Sequence, residues 1–236
     1  MIIGISGYVG NRLTGIGRVL INILSELAKQ YPEDKYVLFR NFDFKEYDNL
    51  TQYQNIEIVD VPYTKESGLK NILWHQWLFQ KLLKKYKCDI AYIPNFTLLL
   101  WKTIPTIVTI HDLIEYNVPD KFSKARMFYR KQVCDPLMAK KSNHILTVSK
   151  SSYKDIISYL GVKPSKLTLT LNATDRNVFK KYSKEKIIPA IKKYNLEYKK
   201  YLLFVGTIDF PGKNIKTIIA VSYTHLRAHE TSQDIV

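Results

Sequence analysis

The pair His111–Asp112 is a candidate for chemistry because it follows directly after the apolar stretch Thr106–Ile110. A short apolar stretch predicts a buried strand, so the pair would lie at a strand's carboxyl end, where open α/β sheets bind their ligands. An imidazole donates or accepts hydrogen bonds near neutral pH, which suits acid–base work or the binding of a hydroxyl group. The structural alternative is a histidine that caps the next helix or satisfies a buried carbonyl group.

Glycines near the N-terminus indicate a second kind of chemistry, the binding of an anion. Met1–Ile5 predicts a strand, and the apolar residues from Ile16 to Leu27 recur with the period of a helix. A strand, a glycine loop and a helix N-terminus together direct backbone N–H groups and the positive end of the helix dipole at one point. Two sets of glycines compete for this role, the first near the strand and the second at the start of the helix: Gly4, Gly7 and Gly10, and Gly15 and Gly17.

The first glycine set resembles the dinucleotide loop of NAD-dependent short-chain dehydrogenases and epimerases. Tyr159 and Lys163 also have the catalytic Tyr-x-x-x-Lys spacing of that family. That spacing works only if both side chains lie on one helix face. Gly161 lies between them and Pro164 follows Lys163, so we expect the helix to end near Leu160. An NAD-dependent enzyme stays an alternative that rests on short patterns.

Short apolar segments alternate with longer helical ones along most of the chain. Besides the first strand, strands are predicted at Tyr36–Phe39, Ile56–Val61, Asp89–Ile93, Thr106–Ile110, His144–Val148 and Leu167–Thr170. Further helices are predicted near Leu69–Tyr86, Ser123–Lys140 and Ser151–Leu160. This alternation indicates an α/β fold with a mostly parallel sheet that is covered on both faces.

The composition is that of a globular protein with anionic partners. Of the 236 residues, 46% are hydrophobic and 24% are charged, and the formal net charge is +15. The two cysteines, Cys88 and Cys134, lie far apart, so neither a disulfide framework nor a zinc site is expected. No apolar run has the length of a transmembrane helix, and glycines interrupt the N-terminus where a signal peptide would need its apolar core. We therefore expect a soluble cytoplasmic protein.

Five segments resemble, in order, the motifs of GT-B glycosyltransferases, specifically the large retaining family 4. They are Thr14–Val19, Ile110–Leu113, Leu146–Ser151, Asn172–Phe179, and Leu203–Thr207 with Gly212–Asn214. Each segment alone is a weak match, whereas five in order, each at the expected strand end, are a specific one. The resemblance covers roughly residues 1–220.

The resemblance implies a GT-B type α/β fold, in which two Rossmann-like domains face each other across a cleft. In such enzymes the nucleotide sugar binds mainly to the C-terminal domain and the acceptor mainly to the N-terminal domain. The implied activity is the transfer of a hexose-type sugar to a glycan or lipid-linked acceptor with retention of configuration. The resemblance implies no metal ion and no cofactor besides the nucleotide-sugar substrate.

The implied donor-side residues bind phosphate. They are Gly15, Gly17, Thr207 and Lys213. The two glycines would let the backbone approach the donor diphosphate or the acceptor, and Lys213 aligns with the lysine that binds the diphosphate. The sequence departs from the family here, because Thr207 and Gly212 stand where arginines are often found.

Three further residues receive roles from the resemblance. His111 is the catalytic candidate, placed against the donor sugar, where it can bind a hydroxyl or stabilise the transition state. Asp112 and Trp101 are the acceptor-side candidates. Asp112 is better suited to orienting a group or capping a helix than to acting as a catalytic acid.

The chain is expected to divide where its character changes. Residues 1–175 predict the acceptor-side Rossmann-like domain, and residues 176–200 predict a linker with one weak helix. Residues 201–220 predict the first strand and helix of a truncated second Rossmann-like domain, with a buried strand at Tyr201–Val205. Residues 221–236 do not continue the apolar stripe of that helix, so the helix is expected to end before residue 221. Val221–Thr231 resembles a translated sequencing adapter, so a non-native, unpacked tail is expected. We expect this chain alone not to transfer sugar, because its donor half ends after one strand and one helix.

Aromatic and basic residues alternate on the predicted helix Leu69–Tyr86, and the apolar run Phe96–Lys102 includes Trp101. Such surfaces can lie on an anionic membrane, so a peripheral position at its inner face is predicted. The bland alternative is a set of core stripes with solvated lysines. The functional alternative from another class is a non-catalytic basic protein that binds membranes or nucleic acid. No DNA- or RNA-binding motif is present, and no nucleic-acid partner is expected.

Overall fold

One parallel sheet of seven strands organises the first part of the chain in the computed structural model. The strands are β1 (Ile2–Gly7), β2 (Lys35–Arg40), β3 (Ile56–Asp60), β4 (Ile90–Ile93), β5 (Thr106–Thr109), β6 (His144–Thr147) and β7 (Leu167–Leu169). Their order is β3-β2-β1-β4-β5-β6-β7, so β1 and β4 are neighbours. All seven strands predicted between residues 1 and 170 are confirmed, with ends shifted by one or two residues. The structure describes residues 1–8, 13–61, 68–95, 97–119, 121–174, 179–206, 208 and 213–231.

Helices connect the strands, and two of them contain a π-helical turn. They are α1 (Gly15–Gln30), α2 (68–85, with the π turn Trp74–Leu78), α3 (Ile114–Asn117), α4 (124–141, with the π turn Tyr129–Cys134), α5 (Lys150–Leu160), α6 (Lys184–Lys192) and α7 (Ile215–Thr231). A π turn holds one extra residue and is often found at functional sites. Both π turns occur in helices that also contribute to the cleft described below.

The core lies on both faces of the sheet because successive side chains of a strand point to opposite faces. On β2, Tyr36 and Leu38 join the cluster against α1, whereas Val37 and Phe39 join the cluster that contains Trp74 of α2. Burial of both faces explains why these strands are continuous apolar runs rather than alternating ones. It also explains why they could be predicted from the sequence.

The glycines of β1 serve packing rather than the binding of a dinucleotide. A Cβ atom on Gly4 would lie 2.3 Å from the Leu83 side chain, and one on Gly7 would lie 2.9 Å from the backbone oxygen of Phe39. Both positions therefore need the small residue for close contact with neighbouring elements. The third glycine of this set, Gly10, lies outside the described residues.

The Tyr-x-x-x-Lys pair does not share a helix. Helix α5 ends at Leu160, and Gly161 caps it with a left-handed φ of 62°. Lys163 follows this cap, whereas Tyr159 lies within the helix. The structure therefore removes the geometric basis of the dehydrogenase alternative, as the position of Gly161 predicts.

The chain divides into two compact units, Met1–Asn172 and Ala173–Val236. In the second unit, the predicted buried strand Tyr201–Val205 is wrong: no strand is present there, and Leu203 and Val205 are 75% and 84% exposed. A strand needs a neighbour to pair its N–H and C=O groups, and the described residues of this unit provide none.

The prediction that the helix ends before residue 221 is also wrong. Helix α7 begins at Ile215 and continues to Thr231. The apolar stripe does stop, but Leu226, Ala228 and Glu230 belong to the residue types with high intrinsic helix propensity, so the backbone stays helical without a stripe. The assignment of residues 221–236 as a non-native tail stays a prediction.

Substitution by alanine should destabilise the protein at the crowded Gly7 but not at the open Gly15. We expect Gly7→Ala to lower the free energy of unfolding by about 1–3 kcal/mol, because the new methyl group meets backbone atoms of β2 that cannot move aside. Gly15→Ala is the matched control, since nothing lies within 4 Å of its Cβ position. Urea unfolding followed by tryptophan fluorescence measures this change in the first unit, which contains all three tryptophans. Equal stability of the two variants would contradict the packing role of Gly7.

Candidate functional site

A cleft opens where the order of the strands reverses. The chain leaves β1 and β4, the two central neighbours, at the same edge of the sheet, and such a switch point is where α/β sheets bind ligands. Asn95, just after β4, donates from Nδ2 to the carbonyl oxygen of Tyr8, just after β1, at 2.6 Å. This bond ties together the two segments beside a cleft of 700 Å³. The described lining residues are Ile16, Asn71, Ile72, Asn95, Thr97, Leu98, Arg126, Tyr129 and Arg130.

The start of helix α1 forms part of this cleft through Ile16. Thr14 precedes the helix without a side-chain capping bond, and the first turn contains no acidic residue. The first N–H groups of a helix have no intrahelical partner, so this end is suited to an anionic or hydroxyl ligand. Gly15 is exposed with open space before it, and Gly17 is buried. The backbone at Gly15 is therefore accessible to a ligand.

His111 lies at the carboxyl end of β5, as predicted, and is half-buried. Its Nε2 donates to the carbonyl oxygen of Pro94 at 2.9 Å, next to the cleft residue Asn95. Because a carbonyl can only accept, Nε2 bears the proton, and in the neutral ring Nδ1 presents a lone pair. Nε2 thus plays the structural role that the sequence analysis gave as an alternative, since it satisfies a carbonyl group. Among the described residues, Nδ1 has no such partner and can take part in chemistry.

The serine motif before helix α5 holds the backbone of His111. Ser149 caps the helix, since its Oγ accepts from the N–H of Ser152 at 3.0 Å. The hydroxyl group of Ser152 then donates to the carbonyl oxygen of His111 at 2.8 Å. Through these two hydrogen bonds, the serine motif joins the segment after β5, which contains His111, to the N-terminus of helix α5.

The two acceptor-side candidates have different surroundings. Asp112 is exposed, and its Oδ1 accepts from the N–H of Ile114 at 3.3 Å, which caps the short helix α3. Trp101 is 42% exposed and meets the 58% exposed Trp77 edge to face, with ring centroids 5.9 Å apart. The first is thus a structural cap, and the second belongs to an exposed aromatic pair.

The predicted phosphate-binding residues beyond residue 200 belong to the second unit. Lys213 is exposed and precedes helix α7 by two residues. Asn214, between them, has a left-handed φ of 47°. Thr207 lies outside the described residues. The roles of Lys213 and Thr207 in binding the donor stay predictions.

A buried ion pair supports the wall of the cleft that helix α4 forms. Nε of Arg130 lies 3.1 Å from Oε1 of Glu115, whose side chain is fully buried. Asp135, also fully buried, lies beside this pair. Burial and the proximity of Glu115 raise the pKa of Asp135 to about 9. Burial alone would raise the pKa of Glu115, but Asp135 and Arg130 lower it, so Glu115 is the ionised partner.

Other kinds of site are not apparent in the described part of the chain. Its histidines, cysteines and acidic residues form no group of three that could hold a metal ion. None of its helices has the length and apolar character needed to cross a bilayer. Cys88 and Cys134 are buried and free, and burial raises the pKa of their thiols to about 11 and about 12.

The model of a known family matches most of the first unit. Its description is Glycosyltransferase Family 4, and it matches residues 13–178, well over half of the chain. The chain belongs to glycosyltransferase family 4. The cleft described above lies within the matched residues, and the resemblance found in the sequence motifs is confirmed.

Comparison with individual family 4 and related proteins agrees with this assignment. O-antigen chain mannosyltransferase B of Escherichia coli is 27% identical over 220 residues, which cover 88% of this chain and 55% of the relative. The chain thus spans little more than half the length of the curated relative it matches. Among solved structures, WaaG, a glycosyltransferase involved in lipopolysaccharide biosynthesis, matches with a TM-score of 0.58 at 12% identity, over 83% of this chain and 52% of its own. A glycosyltransferase from Rickettsia africae matches with a TM-score of 0.50 at 11% identity, over 84% and 50%.

Because these solved structures are only 11% and 12% identical in sequence, they establish the fold of the chain and nothing more. The predicted GT-B type of fold is confirmed. The sequence motifs missed several cleft residues, above all Asn95 and Arg126. Asn95 follows a predicted strand just as His111 does, so the same strand-end rule could have found it. Arg126 and Arg130 lie four positions apart, which places them on one face of helix α4, and Phe122 precedes that helix.

Substituting Asp135 tests the buried carboxyl pair. The folded protein keeps Asp135 protonated up to about pH 9, whereas the unfolded chain ionises it above its ordinary pKa of 3.8, so wild-type stability falls as pH rises between these values. Between pH 5 and pH 8 we expect the free energy of unfolding of Asp135→Asn to fall by about 1–3 kcal/mol less than that of the wild type. Asp48→Asn, at an exposed position, is the control and should keep the wild-type pH dependence. Parallel curves for Asp135→Asn and the wild type would show that Asp135 is ionised in the fold.

Proposed function

We propose that this protein is a retaining glycosyltransferase that transfers a hexose-type sugar from a nucleotide-sugar donor to a glycan or lipid-linked acceptor. Family membership supports the reaction class, and similarity to an O-antigen chain mannosyltransferase supports a hexose and a polysaccharide product. The observation that carries the proposal is the cleft at the carboxyl edge of β1 and β4. There the start of α1 and Asn95 face a volume suited in size to a small ligand such as a sugar.

The proposed role of His111 follows from its hydrogen bonds. Nε2–H is held by the carbonyl oxygen of Pro94. The proposal therefore assigns to Nδ1 the role of accepting a hydrogen bond from a hydroxyl group of the sugar. A neutral imidazole adds no positive charge beside an oxocarbenium-like transition state, so it can accept a hydrogen bond from the sugar without opposing the charge that develops there. Same-face attack then needs no enzymic nucleophile, and His111 acts by stabilisation and positioning.

The leaving diphosphate needs positive partial charge close to the bond that breaks. The proposal assigns the binding of the donor diphosphate to Lys213 and Thr207 of the second unit. It assigns the backbone N–H groups at Gly15 and Gly17 to a phosphate or hydroxyl group of a ligand in the cleft of the first unit. It invokes no metal ion and no further cofactor.

The exposed aromatic pair supports a peripheral position on an anionic membrane at the cytoplasmic face. Trp77 and Trp101 are exposed together with Leu73 and Leu100, which are 43% and 44% exposed. Exposed lysines, such as Lys81, follow Trp77 on helix α2. Tryptophan and leucine partition into the lipid interface while lysines meet anionic headgroups, so this surface fits a membrane that presents a lipid-linked acceptor.

The role of His111 is tested by comparing it with a second histidine of the sheet. In the polypeptide at its full natural length, we expect His111→Ala to reduce kcat roughly 100-fold or more, with an unchanged melting temperature. His144→Ala is the control, because His144 begins β6 at the opposite edge of the sheet, where its Nε2 meets the hydroxyl group of Thr168 at 2.8 Å. Transfer of radiolabelled sugar from GDP- and UDP-sugars is measured, and NMR of the product gives its anomeric configuration.

Four outcomes would count against the proposed function. Absence of transfer from every nucleotide sugar would contradict the reaction class, and an inverted anomeric centre would contradict retention. Equal loss of activity in both histidine variants would contradict the catalytic role of His111. Specific binding of NAD(H) in place of nucleotide sugars would restore the dehydrogenase alternative.

Membrane association is tested with sedimenting vesicles. We expect the chain to bind vesicles of phosphatidylglycerol and phosphatidylcholine more tightly than vesicles of phosphatidylcholine alone, and the double variant Trp77→Ser, Trp101→Ser to bind roughly tenfold more weakly. Tyr194→Ser removes an aromatic side chain of the second unit that is more exposed than either tryptophan, and is the control. Vesicle binding that is unaffected by loss of both tryptophans would show that this surface does not contact lipid.

A further inference from the structure

The wall of the cleft formed by helix α4 is positively charged. Arg126 and Arg130 both line the cleft, and none of its described lining residues is acidic. Their guanidinium carbons lie 4.3 Å and 5.2 Å from the centroid of the same ring, that of Phe122. Contact with the Phe122 ring restrains both guanidinium groups, so less side-chain entropy is lost when a ligand binds.

The two arginines differ in their partners. Arg130 is held by the buried carboxylate of Glu115, with Nη2 at 3.2 Å from Oε2. Arg126 is exposed, and the described residues place no carboxylate at salt-bridge distance from it. Asp135 is uncharged at neutral pH because burial raises its pKa to about 9, so it adds no second negative charge. The wall therefore retains the charge of Arg126 for a ligand.

Asn95, another lining residue of the cleft, offers a hydrogen-bond acceptor. Asn95 uses Nδ2 to bind the carbonyl oxygen of Tyr8, and its buried Oδ1 has no partner within the described structure. A buried carbonyl oxygen without a partner is costly, and a ligand hydroxyl group would satisfy it. A hydroxyl donor near Asn95 and an anion near Arg126 together describe a charged carbohydrate.

We propose that this cleft binds an acceptor sugar that bears an anionic group, with Arg126 as the counter-ion of that group and Asn95 as the acceptor for a sugar hydroxyl. The inference rests on the proposed function and names the class of acceptor. The anion is a phosphate, as at the head of a lipid-linked glycan, or a carboxylate, as in a uronic acid. Either can be bound in bidentate fashion by a guanidinium group.

The test compares charged and neutral sugars on the 236-residue chain by calorimetry. The probes are a mannose disaccharide with a phosphate at its reducing end, a disaccharide of mannose and glucuronate, and a neutral mannose disaccharide. We expect at least one charged probe to bind about tenfold or more tightly than the neutral one. The tighter of the two identifies the source of the anion.

Variants of helix α4 link this preference to one residue. Arg126→Gln should weaken binding of the charged probe about ten- to hundredfold and leave the neutral probe unchanged. Arg126→Lys should lie between, because lysine keeps the charge but not the planar fork. Lys124→Gln removes the same charge from an exposed position of the same helix outside the cleft, and should change binding less than about twofold. Unchanged melting temperatures confirm that the variants fold.

Several results would overturn the inference. They are equal affinity for charged and neutral probes, no detectable binding of any probe, or equal losses in Arg126→Gln and Lys124→Gln. If Arg126→Gln weakens binding of GDP as much as that of the charged sugar, the site belongs to the donor. Sugar transfer by the full natural polypeptide to neutral acceptors, with no role for Arg126, would refute the inference and leave the proposed function standing. Binding of the charged probe through Arg126, with no sugar transfer to any acceptor, would support the anion site and refute the proposed function.

Discussion

The parallel pairing of β1 with β4 is the constraint on which the rest of the site depends. Because both strands run in the same direction, the segments that follow them emerge at one edge of the sheet, and the hydrogen bond from Asn95 to Tyr8 joins them. The start of α1 and the strand end that precedes His111 are placed by the same sheet. The cleft is thus a consequence of strand order, and helices α2 and α4 supply its side walls.

Charge in the first unit is arranged so that one wall stays positive at modest cost in stability. A buried ion pair such as Glu115 with Arg130 gains little net stability, because desolvation offsets its attraction. What the pair provides is a fixed orientation for a guanidinium group at the cleft. The proton on Asp135 avoids a second buried negative charge, which would otherwise attract both arginines away from a ligand. The free energy of unfolding is lowered by the protonation of Asp135, which is buried away from the cleft.

The central strands of the sheet, such as β2 and β4, could be predicted from the sequence because they are buried on both faces and therefore appear as continuous apolar runs. The same signal misled at Tyr201–Val205, where the run is equally apolar but no partner strand exists in the described part of its unit. The position of His111 could be predicted from the strand before it. The same rule applies to the position of Asn95, but its hydrogen bond to Tyr8, 87 residues away along the chain, could not be predicted from the sequence. The basic residues of α4 were not assigned to the cleft, because sequence gives their spacing but not the surface they face.

The π turn Tyr129–Cys134 gives helix α4 two faces that an ordinary helix would not combine. Before it, Arg126 faces the cleft, and after it, Met138 and Ala139 enter the core. Each residue of an α-helix advances about 100° around the axis, so the single extra residue sets the angle between these two faces. Inserting or deleting one residue in this turn would therefore rotate Arg126 by about 100° relative to Met138 and Ala139. The direction in which the arginine faces could change in this way while the core beyond the turn keeps its contacts.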